Sequence, residues 1–285
     1  MLKVNLFDFN FRQADCSVAY QSSKHVEYVR DWHKFDGITL FTDGYAVDGT
    51  VNWVESQKKI AWLREPQCLH PANYERISEF EDVFDRILTY YAPLLGGKYK
   101  DKGKYRFVPY GGIWIPEKEW HIKRKSKLCS MLYGEKRTAP GHLLRHEVGD
   151  FIAWEFPDLV DFYGVRGEKT TYGPKTKMKV HGDYMFSVVI ETCQDDNLFT
   201  EILLDCMIIG TVPIFWGAGN ISAFFNPYGI LQFSGPGFVE LREILQELSP
   251  ALYQSMLPAV QDNFQKAQQY RVTEDWMHEH GIFEF

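Results

Sequence analysis

Short apolar runs recur along the chain. They alternate with turn residues and with stretches whose apolar positions return every three or four residues. The first pattern reads as strand and the second as helix. Lys3 to Phe9, Gly37 to Thr42, Lys59 to Leu63, Phe84 to Tyr90 and Tyr105 to Pro109 are predicted strands. Ala19 to Lys34 is predicted as a helix with Tyr28 and Trp32 on one side, and another helix is expected before Phe84. Glu117 to Lys127 carries Lys118, Lys123, Arg124, Lys125 and Lys127. It reads as a solvated connection, the alternative being a positive rim beside phosphates.

A second series follows. Lys127 to Leu132 and Leu159 to Gly164 are predicted strands, with a loop at Lys136 to Pro140 and a helix over His142 to Phe151 between them. Phe186 to Ile190 is apolar and β-branched, as buried parallel strands are. Gln194 to Asn197 then supplies helix-capping residues, one of Asp195, Asp196 and Asn197 being the expected cap. Leu198, Ile202, Cys206 and Ile209 share one helix face, and Gly210 ends that helix. Val212 to Trp216 is the next strand, closed by Gly217 and Gly219, and Ile230 to Phe233 another. Helices are expected over Phe238 to Leu248 and Ala251 to Tyr270, and the aromatic end, Glu274 to Phe285, should dock. Strands interleaved with helices predict an α/β protein, divided into residues 1–116 and 117–285, with the last helix packing back on the first domain. The ends of such parallel strands are where α/β sheets bind ligands.

A length of 285 residues suits two domains better than one core. The formal net charge of −7 argues against a nucleic-acid partner. The five cysteines include no CxxC pair, which reads as buried, reduced thiols. No apolar run is long enough for a transmembrane segment. Gly217-x-Gly219 resembles part of a dinucleotide fingerprint, but Ser222 stands at the third glycine position. An NAD enzyme therefore rests only on the α/β pattern and this partial glycine turn. His142 and His146 are spaced to share a helix face, without an HExxH pattern or a third ligand for zinc. Asp195-Asp196 is adjacent rather than spaced as Asp-x-Asp, so no obligatory metal or other cofactor is expected.

Ile190-Glu191-Thr192-Cys193, Thr200-Glu201-Ile202, Gly210-Thr211-Val212-Pro213-Ile214, Trp216-Gly217 and Phe225-Asn226-Pro227 together resemble the C-terminal motif of the α-1,3-fucosyltransferase family. The exostosin-like transferases, which use UDP-sugars, are the nearest related comparison. The resemblance covers most of the second domain and only patches of the first. It implies a GT-B type architecture, two Rossmann-like domains facing a cleft. It also implies an inverting transfer of sugar from a nucleotide diphosphate to a hydroxyl of an oligosaccharide or glycoprotein glycan. Golgi members of that family carry an N-terminal membrane anchor; without one, this chain reads as a soluble, cytoplasmic bacterial or viral form, or a trimmed one.

Carried onto this sequence, the resemblance makes Arg145 a pyrophosphate ligand, a task suited to a planar, permanently charged guanidinium. The residue-level alternative is a surface arginine paired with Glu147 or Asp150. Glu201 becomes the ribose ligand, with stabilisation of a helix start as its alternative. Glu65, at the end of Ile60 to Arg64, becomes the base for the acceptor hydroxyl, with an ion pair to cations of adjacent strands or to Arg64 at a domain edge as its alternative. Glu191, following a buried strand, needs partners and either orients a loop or contacts the donor sugar. Thr192, Thr200, Asn197, Lys127, Arg137 and Gly217 complete the donor side, and Trp114 is the acceptor-side candidate. Ile202 replaces the family's phosphate lysine, Thr192 its asparagine and Leu198 its aromatic. These departures turn the donor from GDP-fucose toward a UDP-sugar such as UDP-xylose. The alternative in another class is a non-catalytic glycan or nucleotide-sugar binding protein.

Overall fold

The computed structural model describes residues 1–11, 14–30, 34–96, 103–171, 173–235 and 237–285. The chain forms two compact units. One contains Met1–Gly112, Asp195–Leu198 and Arg271–Phe285; the other contains Ile113–Gln194 and Phe199–Tyr270. The division thus falls just before Ile113 rather than after residue 116, and Trp114 belongs to the second unit.

The first unit is built on a six-stranded sheet in the order β2-β1-β3-β4-β5-β6. The strands are β1 Leu2–Phe7, β2 Val26–Val29, β3 Lys34–Thr42, β4 Glu55–Leu63, β5 Arg86–Thr89 and β6 Tyr105–Phe107. Every pairing is parallel. Parallel strands are covered on both faces, which explains the unbroken apolar ends Leu40–Phe41 and Ile60–Leu63, all fully buried. Helices α1 Pro71–Arg76, α2 Ala92–Leu95 and α8 Thr273–Glu279 belong to this unit.

The helix expected over Ala19 to Lys34 is not formed. Val26–Val29 is instead an edge strand parallel to β1. Its Val-x-Tyr-Val content favours a pleated, half-buried surface, and pairing with β1 outweighs the helical spacing of Tyr28 and Trp32. Trp32 itself lies outside the described residues.

The second unit carries a five-stranded parallel sheet in the order β11-β10-β9-β7-β8. Its elements run β7 Lys127–Tyr133, α3 Pro140–Glu155, β8 Val160–Gly164, α4 Pro174–His181, β9 Tyr184–Ile190, α5 Glu201–Met207, β10 Val212–Trp216, β11 Leu231–Gln232, α6 Val239–Glu247 and α7 Pro250–Gln268. Val148 and Ile152 from α3, Leu241 and Leu245 from α6, and Tyr253 from α7 pack with Phe186, Val188, Ile190 and Ile214 into one core. Gly210 takes φ +74 after α5, a left-handed position glycine adopts without penalty. Its carbonyl accepts the Tyr253 hydroxyl at 2.8 Å.

Two further readings are corrected here. Helix α5 starts at Glu201 and is capped by Thr200, whose Oγ1 accepts the Ile202 amide at 3.2 Å; residues 195–197 do not cap it. Leu198 and Phe199 precede the helix and are fully buried, so their apolar character serves packing rather than helical periodicity. Lys125 is not a solvated lysine. Its Nζ donates to the carbonyls of His181, Gly182 and Ile209 at 3.3, 3.0 and 2.8 Å and to Thr211 Oγ1 at 2.8 Å. Burial of the ammonium pushes its pKa down to about 7. All five cysteines are free thiols, four of them buried. No helix among the described residues is long and apolar enough to cross a membrane.

Candidate functional site

The C-terminal ends of β7, β8, β9 and β10 lie along one edge of the second sheet, since the strands are parallel and Tyr133 pairs with Gly164 and Ile190 with Trp216. Strand-end carbonyls there need donors. Arg145, one turn into α3, supplies Nε and Nη2 to the Ile190 carbonyl at 2.9 and 2.6 Å. Gly141 N donates to the Thr192 carbonyl at 2.9 Å. Helix α3 is thereby pinned across the end of β9, and a fixed guanidinium stands at that edge.

Glu191 follows β9 and is completely buried. Thr200 answers it twice, with N donating to Oε1 at 2.9 Å and Oγ1 donating to Oε2 at 2.9 Å. Burial pushes the Glu191 carboxyl up to about 7, with the nearby Glu201 adding to the rise. Gly217 closes β10 against the same group: a Cβ there would come within 2.4 Å of Phe215 Cζ and 2.9 Å of Glu191 Cγ. Glu201 is the half-buried first residue of α5. The structure thus brings Glu191, Thr200, Gly217 and Glu201 together, with Arg145 beside them at the end of β9.

Arg137 and the α3 histidines sit at the same edge. Arg137 Nη2 lies 3.1 Å from His146 Nδ1, and Thr138 Oγ1 lies 3.1 Å from His142 Nδ1. Burial, reinforced by Arg145, Lys136 and His146, pushes His142 down to about 4, so it is neutral near pH 7 within a positive neighbourhood. Next to these loops, a cavity of about 460 Å³ opens at the ends of β7 and β8. That volume is in the range of small-molecule sites. Lys136, Lys169 and Lys177 line it together with the hydroxyl residues Thr170, Thr171 and Thr176.

Lys177 was not singled out in the sequence, because α4 was not read as an element. Gly173-Pro174 was the available signal, proline at the first helical turn. Lys177 is almost wholly buried, 3.4 Å from Asp205 Oδ2 and over the Trp114 ring. Asp205 Oδ1 in turn accepts the Trp114 and Ile115 amides at 2.9 and 3.2 Å.

Three expected site residues lie elsewhere. Lys127 begins β7, opposite Tyr184, and is ion-paired to Asp161 at 3.1 Å. A strand of seven residues separates it from the C-terminal edge by roughly 20 Å. Asn197 belongs to the first unit, at φ +66, and its side-chain amide donates to the Tyr90 carbonyl at 2.9 Å. Trp114 is held in the second unit by Asp205, not in the first, where it was expected. Thr192 stays beside the edge, its carbonyl held by Gly141.

In the first unit, Glu65 follows the end of β4. Its amide donates to Asp43 Oδ1 at 3.0 Å, its carbonyl accepts the Tyr74 hydroxyl at 2.6 Å, and its side chain pairs with Arg64 Nη1 at 2.9 Å. Arg64 is stacked over Tyr110 at 4.0 Å and also donates to the Tyr110 hydroxyl and the Ser17 carbonyl. The ion-pair reading of Glu65 is therefore realised, and it leaves the carboxylate fixed in position and partly open, with 18% of the side chain exposed. Among the described residues, no group of three or more His, Cys, Asp or Glu is placed to hold a metal ion.

The buried Glu191 carboxyl gives a pH-dependent stability. A carboxyl raised in the folded state contributes stability that is complete below its ordinary value of 4.5 and is lost as pH rises through about 7. Glu191→Gln removes that loss and keeps both contacts, because Oε1 can still accept from Thr200 N while the amide donates to Thr200 Oγ1. Between about pH 5 and pH 8 the variant is expected to gain on the parent by roughly 2–3 kcal/mol. Denaturant unfolding at both pH values measures this, and an unchanged difference refutes it.

No protein-family model matches the chain, and no curated protein sequence matches it. Solved structures do. The chain is similar to an α1,3-fucosyltransferase with GDP at TM-score 0.58 and 16% identity, covering 100% of this chain and 90% of that one. It is similar to an α1,3-fucosyltransferase with GDP-fucose at TM-score 0.56 and 16% identity, covering 90% and 81%. An α,α-trehalose-phosphate synthase (UDP-forming) from Burkholderia xenovorans, in complex with glucose-6-phosphate, gives TM-score 0.58 and 11% identity over 86% and 73%. At such identities the likeness is one of fold: the two parallel α/β units are built on the GT-B plan of these glycosyltransferases.

Proposed function

We propose that the chain is a glycosyltransferase that moves a sugar from a nucleoside diphosphate to a hydroxyl of a glycan, with inversion. The observation that carries this reading is the edge of the second sheet. There a fixed Arg145 and the Glu191–Thr200 pair leading into Glu201 stand at the end of β9, and a lysine-lined cavity of about 460 Å³ opens at the ends of β7 and β8. Arg145 and the cavity lysines would offset diphosphate charge, and Glu201 would accept the two ribose hydroxyls. Glu65 would take the acceptor proton as the acceptor oxygen bonds to the anomeric carbon and the diphosphate leaves with the bonding pair. Fixed side-chain cations make an obligatory metal unnecessary in this scheme. Ile202, standing where a phosphate lysine is implied, turns the donor toward a UDP-sugar such as UDP-xylose.

A thermal-shift panel of GDP, UDP, GDP-fucose, UDP-xylose, UDP-glucose and NAD tests the reading. A ligand at a hundred times its Kd stabilises by ~2.7 kcal/mol, a rise of several degrees in a unit of this size. A shift with GDP or UDP compounds, lost in Arg145→Ala, is expected, and the responding nucleotide names the donor class. Silence toward every nucleotide would sink the proposal. A second reading, a binding protein without turnover, draws on Ile202 and on the engagement of Arg145 by Ile190. It predicts the same shifts with no sugar transfer from any donor.

A further inference from the structure

Asp43 is the other carboxylate at the sheet end that carries Glu65. It follows β3 directly and has φ +44, a left-handed backbone that a non-glycine residue adopts at a cost. It is 7% exposed. Oδ1 accepts the amides of both Arg64 and Glu65, at 2.9 and 3.0 Å, so one oxygen fixes the main chain on which Glu65 stands. Oδ2 is buried and has no hydrogen-bond partner among the described residues. An orphaned carboxylate oxygen is expensive to keep charged. A strained backbone and an unsatisfied group at one residue go beyond what holding two amides requires, since an asparagine would do that as well.

Arg64 and Glu65 face Asp43 from the end of β4, and the phenol of Tyr74 in α1 feels its charge. Arg64 is itself shared with Tyr110, Ser17 and, more remotely, Glu274. Two carboxylates therefore compete for one guanidinium that other partners already hold. The pair cannot be fully ionised without cost. Asp43, the more buried and without a partner on Oδ2, is the one that takes the proton first.

We infer that Asp43 is a positioning residue for Glu65, clamping its main chain through Oδ1 and setting through its own charge the field in which the Glu65 carboxylate works. This rests on the reading of Glu65 as the acceptor base and deepens it. Asp43 is pushed up to about 7, first by burial and then by Glu65. Above that pH Asp43 is negative, and its charge favours the arrival of the acceptor proton at this sheet end; below it Asp43 is neutral and that help is lost. Turnover should therefore rise as pH passes through neutrality, at a point set by a residue that does not touch substrate.

The test uses the full chain with ¹³C-labelled aspartate and glutamate carboxyls, in the parent, Asp43→Asn and Glu65→Gln. The Asp43 signal is expected to titrate at about 7 in the parent, and about one pH unit or more lower in Glu65→Gln. The parent's rise in kcat across the same midpoint is expected to vanish in Asp43→Asn, whose side-chain oxygen can still accept both amides. An Asp43 titration unmoved by Glu65→Gln, or a rise retained in Asp43→Asn, overturns the inference. If Asp43→Asn does not fold, the Glu65→Gln titration decides alone. Coupled titration with no turnover from any donor strikes the transferase reading; turnover without coupling strikes only the role of Asp43.

Discussion

Glu65→Gln is expected to lower kcat by ~10²–10⁴-fold, the usual worth of a positioned general base, while leaving nucleotide binding unchanged. The substitution is nearly isosteric. Its amide oxygen can keep the contact to Arg64 Nη1, its main chain stays tied to Asp43 and Tyr74, and Arg64 remains stacked on Tyr110. What is lost is the lone pair able to accept a full proton from the acceptor hydroxyl. The residues proposed to hold the donor, Arg145 and Glu201, belong to the other unit, so the nucleotide-induced thermal shift should match that of the parent. The decisive readout is the split between the two quantities. Turnover close to the parent's with donor bound would remove Glu65 from the chemistry. Loss of both turnover and nucleotide shift would point to damage of the fold instead.

That Glu65 could be proposed at all follows from its place at the end of an apolar strand, which a parallel sheet writes plainly into sequence. Strands buried on both faces leave continuous runs such as Phe186–Ile190 and Val212–Trp216, and Gly217 and Gly219 after the second mark where the chain leaves the sheet edge. Elements covered on one side leave weaker traces. Val26–Val29 is a half-exposed edge strand, and α4 carries so many lysines that its few apolar positions show little periodicity.

Side chains whose role depends on distant segments left no local trace. Lys125 looked like one cation in a charged run, yet its acceptors come from residues 181, 182, 209 and 211. Asp43, Arg64, Ser17 and Tyr110 meet only because the sheet order brings their loops to one end. Lys127 was misplaced for a related reason. A cation next to a strand can sit at either of its ends, and only the strand's direction in the sheet shows that Lys127 lies away from the edge carrying Arg145 and Glu191. Glu191 and Arg145, by contrast, are candidates through their motif, and the structure adds what their neighbours do: Thr200 answers the first, and the Ile190 carbonyl anchors the second.

Gly141→Ala is expected to destabilise the second unit by about 3 kcal/mol or more, among the larger effects of a single substitution. The direction alone is diagnostic. In an open helix the same change would stabilise, since alanine is better than glycine there by ~1 kcal/mol. Gly141 has no need of a left-handed backbone; it is the second residue of α3 and lies against the chain leaving β9. A Cβ built on it would stand 1.8 Å from the Glu191 carbonyl oxygen and 2.9 Å from that of Thr192. Both obstacles are main chain, so no side chain can swing away. Relief requires α3 to lift from the strand end, which stretches the Gly141 N to Thr192 O bond and pulls Arg145 from the Ile190 carbonyl. The damage should therefore spread from stability to ligand. At roughly 2–4 °C per kcal/mol for a unit of this size, thermal unfolding should shift down by about 6–12 °C. Whatever protein remains folded should lose the nucleotide response, because Arg145 no longer stands at the edge. A variant as stable as the parent would mean that α3 does not approach β9 this closely, and the arrangement of Arg145, Glu191 and Thr200 would have to be drawn again.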